Sequence, residues 1–555
     1  MAVAEDHQRH SWYERLLNLI SVVKPGEGRS CVLLTANATI LMACYYLLKV
    51  IREPLILAYG GAEYKSYATA IQAFVLMLLI PIFSVLYHRH AASSKPGTII
   101  NRVLLFFASN LLIFIFLDYI NINIGVAFYV WLGIFSVMVV AQFWAFAADS
   151  YNVRVGQRLF VILAVGSTLG SWLGAKLAGP IFPYFGVPGI LFLAMTALVV
   201  SVFLTRMTPA AIPEEASNEE KPQKEGNENN WKDGFSVVFQ SRYLLLIAAF
   251  VVLLIFINST GEYILARLVS EESLRIFSSD QTDLIENWQT QFYSSYYSWI
   301  TLLSFLIQLF LVSRLINWIG LRGSVLVLPI IMIIGYGLMF FFPIFSIIRY
   351  AMIAENSSNY SIQNTTRHAL FLPVPRKHKY LGKTTIETFF YRVGDLLYGF
   401  FIFFGAQYFN WPLEAFIASN LILAVGLLLL AMRVGHHNTI AKQKVLGNSP
   451  PVVVAALPQL HMPVGIMSKF SISECTFDDP DIGDALKYHA QQSSGEGLPK
   501  WIRFDRMTRT FTFQPPHEHT QSMSIEIHAT DFEGLTATNL MKVSFFKPDD
   551  AEELS

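Results

Sequence analysis

Lys49, Arg52 and Glu53 stand inside TANATILMACYYLLKVIREPLIL, an apolar run otherwise suited to crossing a bilayer. An ionisable side chain at the centre of a membrane helix costs about 2.5 to 3.5 kcal/mol on insertion scales, so such groups face a protein interior or a water-filled path. Lys49 and Arg52 are one helical turn apart and share a face. A guanidinium can fork two oxygens of a phosphate or carboxylate, which makes anion binding one reading of this group. The other is an internal ion pair that locks helices together, with Lys49 snorkelling.

Three further runs carry polar chemistry at similar depth. In INSTGEYILARLV, Glu262 is a lone carboxylate beside Asn258, Ser259 and Thr260. It is suited to pair with Arg52 across the midplane or to carry a coupling proton, unless Arg267 neutralises it first. In RYAMIAENSSNYSIQNTTRHALF, Asn356, Asn359, Gln363 and Arg367 recur at steps of three and four, which predicts one polar stripe on a helix. Amides suit a base or sugar and arginine its phosphate; the alternative is amides that glue neighbouring helices. In TTIETFFYRVGDLLYG, Arg392 either joins the same site or satisfies Asp395 one turn away.

The elements that must position these groups are helices. Twelve mostly apolar runs of membrane-spanning length fall near 33–57, 66–87, 101–120, 124–148, 158–182, 187–206, 243–266, 290–313, 319–342, 345–370, 384–408 and 412–433. Lysine and arginine collect in the N-terminal arm and the even-numbered loops, at Arg15, Lys24, Arg29, Arg89, Lys95, Arg102, Arg154, Arg158, Lys221, Lys224, Arg314, Arg322, Arg376 and Lys377. That bias predicts cytoplasmic termini on a multi-pass protein of the inner membrane.

The expected organisation is an N-terminal arm over 1–32, a first six-helix half over 33–206, a cytoplasmic linker over 207–242 and a second six-helix half over 243–433. A connector over 434–450, an all-β sandwich over 451–547 and an acidic tail over 548–555 complete the chain. The linker, rich in Pro, Glu and Asn, lacks apolar periodicity and reads as disordered. Two six-helix halves match the architecture of major-facilitator-type carriers, which bind substrate between the halves and rock around it. In the tail, SMSIEIHAT and MKVSFF alternate with period two between Asp, Gly and Pro turns, as strands of a small sandwich do. The fold class is therefore an all-α polytopic membrane protein with twelve transmembrane helices and a C-terminal all-β sandwich.

Composition bounds the rest. With 54% hydrophobic and 14% charged residues and a mean hydropathy of +0.45, the chain is too apolar for a soluble enzyme. Its basic and acidic residues balance at 40 each, so nothing directs it to nucleic acid. Cys31, Cys44 and Cys475 offer neither a disulfide framework nor metal-ligand spacing. The opening segment has no apolar core with a small-residue cleavage site, so the first span is expected to serve as insertion signal. A phosphate loop and a nucleophile–base constellation are both missing, so an enzyme is not expected, nor a cofactor. Gly166, Ser167, Gly170, Ser171 and Gly174 recur on one face, suited to close helix packing.

Several of these segments resemble the ATP/ADP translocase family of nucleotide carriers. YYLLKVIREPLIL resembles the family's first span, with Arg52 and Glu53 at its Lys-Asp pair. FWAFAAD followed by QRLFVILAVGSTLG resembles the fourth and fifth spans, and RHALFLPVPRKHKYLGKTTIETFFYRVGD the tenth and eleventh. Arg367 falls where the family has a substrate-binding lysine, and Glu262 matches the acid of span seven. The pattern departs at Leu372, which replaces the acid of an LFDP-type turn, and at Val130, which replaces the acid before Trp131. The tail is similar to dystroglycan-type cadherin-like domains through FSISECTFDDPDIGDALKYHA, LPKWIRFDRMTRTF and IHATDFEG. Asp478, Asp479, Asp481, Asp484 and Asp531 could gather calcium there or simply form Asx turns. No metal site is expected, with Asp479, Asp481 and Asp531 the calcium candidates. The resemblance implies a secondary transporter of nucleotides or related organic anions, seated in the lipid bilayer, with a protein or glycan partner open for the sandwich. The rival is a carrier-derived membrane receptor that binds a ligand and docks or signals through the sandwich.

Overall fold

The computed structural model describes residues 14, 17–18, 21, 23–24, 27–91, 97–151, 153–209, 231–446, 450–479, 486–518, 521–531 and 534–547. Most of the N-terminal arm, most of the linker, Asp481, Asp484 and the acidic tail lie outside the described residues. Residues 1–438 and 439–555 form two compact units.

The first unit is helical because a backbone in hydrocarbon must satisfy its own hydrogen bonds. Its helices are α1 (Gly28–Ala91), α2 (Thr98–Tyr119), α3 (Gly125–Asp149), α4 (Val153–Met207), α5 (Trp231–Gln240), α6 (Arg242–Ile276), α7 (Thr282–Phe310) and α8 (Val312–Phe341). After them come α9 (Phe345–Ser358), α10 (Asn364–Ala369), α11 (Arg376–Thr385), α12 (Tyr391–Phe403) and α13 (Leu413–Leu446). Among the described residues, eight helices are long and apolar enough to cross a membrane. Two are doubly long and broken at glycine. In α1 the break falls at Gly60 and Gly61, where Gly61 has φ +80, and in α4 at Gly186 with φ +58. A side chain at either positive-φ position would be strained, so glycine lets the chain reverse there.

Short π-helical segments interrupt the last third, at Asn359–Gln363, Ile386–Phe390 and Phe404–Tyr408. Each shifts the helical phase of the residues after it. The expected stripe of Asn356, Asn359, Gln363 and Arg367 assumed regular α-helical spacing, and the first π segment breaks it. Asn356 and Gln363 are buried, whereas Asn359 and Arg367 are half-buried.

The small residues of α4 do what their spacing predicts. A Cβ on Gly170 would lie 2.1 Å from the carbonyl oxygen of Thr39, and one on Gly174 would lie 2.2 Å from that of Ala43. The backbones of α1 and α4 are therefore in contact just before Lys49. Asn37 fixes their axial register by donating to Thr205 Oγ1 at 3.0 Å and accepting from Ser201 Oγ at 2.5 Å.

The second unit is an all-β sandwich. Its strands are β1 (Val452–Val453), β2 (Leu460–Pro463), β3 (Ser468–Ser471), β4 (Phe477–Asp478), β5 (Lys487–Gln492), β6 (Ile502–Asp505), β7 (Thr510–Phe513), β8 (Met523–Thr530) and β9 (Thr536–Phe546). They form sheets ordered β2-β9-β8-β5, β3-β7-β6 and β1-β4. β2 pairs parallel to β9, and the other pairings are antiparallel. Period-two alternation places Ile525, Ile527 and Ala529 of β8 in one core with Phe511, Phe513, Met541 and Val543.

Candidate functional site

Glu53 is the centre of a buried charge network. Its side chain is fully buried and accepts from the guanidinium of its neighbour Arg52, through Nε at 3.1 Å and through Nη2. Lys65 Nζ lies 2.8 Å from Glu53 Oε2, and Tyr297 Oη donates to Oε1 at 3.0 Å. The same lysine reaches Glu262 Oε2 at 3.5 Å. Glu262 Oε1 in turn accepts from Asn356 Nδ2 at 3.1 Å and Tyr296 Oη at 3.3 Å. Lys65, 3% exposed, therefore bridges a carboxylate of α1 to one of α6, tying the first half of the chain to the second.

The expected pairing of Glu262 with Arg52 is not what forms. Arg52 is held by Glu53 and lies over the Tyr129 ring, 4.3 Å from its centroid. Arg267 does not neutralise Glu262 either: it pairs with Glu271 at 3.1 Å, and the base in ion-pair contact with Glu262 is Lys65. Arg392 binds Asp395 at 3.1 Å, and Asp395 also accepts from Ser259 Oγ at 3.2 Å, so the local pairing is the one that forms. Arg367 donates to Asn364 Oδ1 at 3.1 Å, and Asn359 sits at the start of the π segment. Of the expected site residues, the structure joins Arg52, Glu53, Glu262 and Asn356 in one network; Arg367 and Arg392 bond elsewhere.

Lys49 is different in kind. It is 9% exposed and, among the described residues, makes no ion pair, the carboxylate of Glu262 acting on it only from beyond ion-pair distance. Its Nζ lies instead 4.4 Å from the ring centroid of Tyr297, 5.2 Å from Tyr46 and 5.6 Å from Tyr360. Ring faces attract a cation by roughly 0.5 to 2 kcal/mol each, less than a charged partner would in the same place. The cage therefore orients the ammonium without cancelling its charge. Gln363, one turn past Tyr360, is fully buried, and neither its amide oxygen nor its nitrogen has a hydrogen-bond partner among the described residues. Buried amides are normally satisfied, and an exception calls for a cause such as strain, a functional role or an ordered water or ion.

Sequence reasoning missed Lys65, Tyr46, Tyr296, Tyr297 and Tyr360. The tyrosines had a signal: FYSSYYSW sets Tyr293, Tyr296 and Tyr297 at helical spacing in a run otherwise read only as apolar. In the sandwich, Asp531 Oδ1 accepts from the backbone N–H of Gly534 at 2.6 Å and Leu535 at 2.8 Å. This is the turn-forming alternative for that residue. Asp479 donates its backbone N–H to Asp478 Oδ1 at 3.1 Å. Among the described residues no group of three or more ligating side chains gathers, and Asp481 lies outside them.

A family model described as Putative Ig domain matches residues 450–545. No curated protein matches the chain. Among solved structures, a bacterial homologue of the human lysosomal transporter Spinster, in an inward-facing and unoccupied conformation, is similar with a TM-score of 0.51 and 12% identity, covering 76% of this chain and 98% of its own. A mutant of the nucleoside transporter NupG is similar with a TM-score of 0.56 and 10% identity, covering 73% of this chain and 99% of its own. A second NupG structure gives 0.50 at 12% identity, covering 73% and 98%. At such identities the likeness concerns the fold: a major-facilitator-like helical membrane unit, followed by an Ig-like β-sandwich.

Proposed function

We propose that the chain is a secondary transporter that moves a nucleotide or related organic anion across the inner membrane by alternating access. The observation that carries this reading is Lys49, a buried cation with no carboxylate partner among the described residues, caged by Tyr46 from the first half and by Tyr297 and Tyr360 from the second. A fixed charge at the meeting of two halves suits an anion that both halves must grip in turn. Lys49 and Arg52 would take the anionic group, the tyrosine faces would stack on a base, and Asn356, Asn359 and Gln363 would bond the remainder. Glu53 and Glu262 would act as countercharges, and Arg367 and Arg392 as outlying contacts reached as the halves rock. The resemblance of YYLLKVIREPLIL and its companions to ATP/ADP translocases supports a nucleotide, and the nucleoside carried by one structural neighbour is a related class.

Twelve crossings result if α1 and α4 each count twice at their glycine breaks, and if the polar helices α7 and Phe345–Ala369 cross as well. An even count with basic even-numbered loops puts both termini, and with them a cadherin-like or other Ig-like sandwich, in the cytoplasm. Alkaline phosphatase fused after residue 436 should then stay inactive.

Uptake decides the function. Purified protein in liposomes preloaded with unlabelled ATP should accumulate labelled ATP, saturably and in competition with ADP. Binding of labelled ATP with no accumulation would instead identify the carrier-derived receptor. Neither binding nor uptake of ATP, ADP or a dicarboxylate would refute the anion reading.

A further inference from the structure

Glu355 has no place in the network just described as a countercharge. It sits on α9, 2% exposed, and its carboxylate Oε1 accepts from Asn258 Nδ2 at 3.2 Å. Each neighbouring element presents something to it and, among the described residues, none presents a cation. From α6 come Asn258 and, beyond it, the carboxylate of Glu262; from α7 the phenol of Tyr296; from α8 the phenol of Tyr336. On its own helix Arg349 is nearly two turns away and donates to Ser295 Oγ at 2.8 Å. Glu53 and Glu262 both have Lys65; Glu355 has only neutral donors. A carboxylate desolvated without a cation discharges by taking a proton.

The geometry also connects this carboxyl to the anion site. Asn258 Nδ2, which donates to Glu355, lies 3.5 Å from Asn356 Oδ1, and Asn356 Nδ2 donates to Glu262 Oε1 at 3.1 Å. Glu262 continues through Lys65 to Glu53 and Arg52. The cluster holds three cations, Lys49, Arg52 and Lys65, against the two carboxylates Glu53 and Glu262. With Glu355 neutral, one positive charge is left over for an incoming anion. With Glu355 ionised, the cluster is balanced and has none to offer.

We propose that Glu355 is a proton site coupled to anion binding, so that a proton and an organic anion are bound, carried and released together. This rests on the anion reading above and adds the coupling ion. The proton enters from water onto the Glu355 carboxylate as the anion meets Lys49, and leaves to water on the far side when the anion departs. No other atom is exchanged. The carboxylate of Glu262, already paired with Lys65, keeps its charge throughout.

The test uses the full chain and ATP as the probe. In the infrared, wild-type protein should show the C=O stretch of a protonated carboxyl that fades as pH rises and is missing in Glu355→Gln. Wild-type ATP affinity should fall by up to about tenfold per pH unit through that same range, as linkage of one proton requires. Glu355→Gln should bind ATP with that slope removed. Glu355→Asp, which keeps a carboxyl, should retain both the band and the slope, and covers the case in which the glutamine variant does not fold. A band that persists in Glu355→Gln, or an ATP slope unchanged by it, overturns the proposal. Should ATP bind at no pH, the nucleotide reading fails by itself; loss of the band in Glu355→Gln then still upholds the proton site, and persistence still removes it.

Discussion

Lys65→Met is expected to destabilise the helical unit by about 3 to 5 kcal/mol, the cost of removing one partner from a buried ion pair. Lys65 is the cation of two carboxylates at once, Glu53 at 2.8 Å and Glu262 at 3.5 Å, and all three lie on helices that meet across the two halves. Without it Glu53 keeps Arg52 and Tyr297, but Glu262 is left with only the neutral donors Asn356 and Tyr296. The burden therefore falls on Glu262, and Lys65→Met combined with Glu262→Gln should recover part of the loss. Thermal unfolding of the detergent-purified protein measures both, and the double-mutant cycle should return a coupling of roughly 0.5 to 3 kcal/mol. A single variant within about 0.5 kcal/mol of wild type, as a surface substitution would be, would show that the lysine bridge does not join the halves.

Lys65 also shows where sequence reading stops. The second apolar run begins at residue 66, so a lysine one position before it reads as a loop residue at the membrane boundary. What puts it inside is the reversal at Gly61, which folds the start of that run back against Glu53. A hydropathy count has no access to that turn. The same limit applies to the polar run of 345–370. Steps of three and four define a stripe only on a regular α-helix, and the π segment at Asn359–Gln363 separates Asn356, which joins the network, from Arg367, which bonds to Asn364. The helical class, by contrast, was legible because bilayer length and apolar composition are one-dimensional properties. So were the strands of the sandwich, since alternation alone sends Ile525 and Ile527 to the core. The intramembrane charges were legible as costly residues. Local partners were within reach, as Arg392 with Asp395 one turn away shows. The links from Lys65 to Glu262 and from Glu262 to Asn356 were not, because those residues come from distant parts of the chain and only packing decides which meet.

Lys49→Met should separate stability from binding in the opposite direction. Because Lys49 makes no ion pair among the described residues and Glu262, the carboxylate in its range, keeps Lys65, its removal leaves no carboxylate without a cation, and the apolar side chain keeps contact with Tyr46, Tyr297 and Tyr360. Thermal stability should stay level or rise, as it does when a costly buried charge is replaced by a side chain of similar volume. Anion affinity should fall by about 10- to 150-fold, the loss of one charge-assisted contact of roughly 1.5 to 3 kcal/mol. Lys49→Arg should recover only part, since the charge persists while a planar guanidinium no longer fits a cage built around a compact ammonium. Arg52→Ala gives the contrast: Arg52 is bound to Glu53 and stacked on Tyr129, so its loss should lower stability and affinity together. Titration of each variant with ATP beside its melting curve distinguishes the roles. If Lys49→Met binds ATP as wild type does, the ammonium is not an anion site. If it melts as early as Lys65→Met, the cage is a structural joint between the halves, and the charge that grips the substrate has to be sought at Arg52.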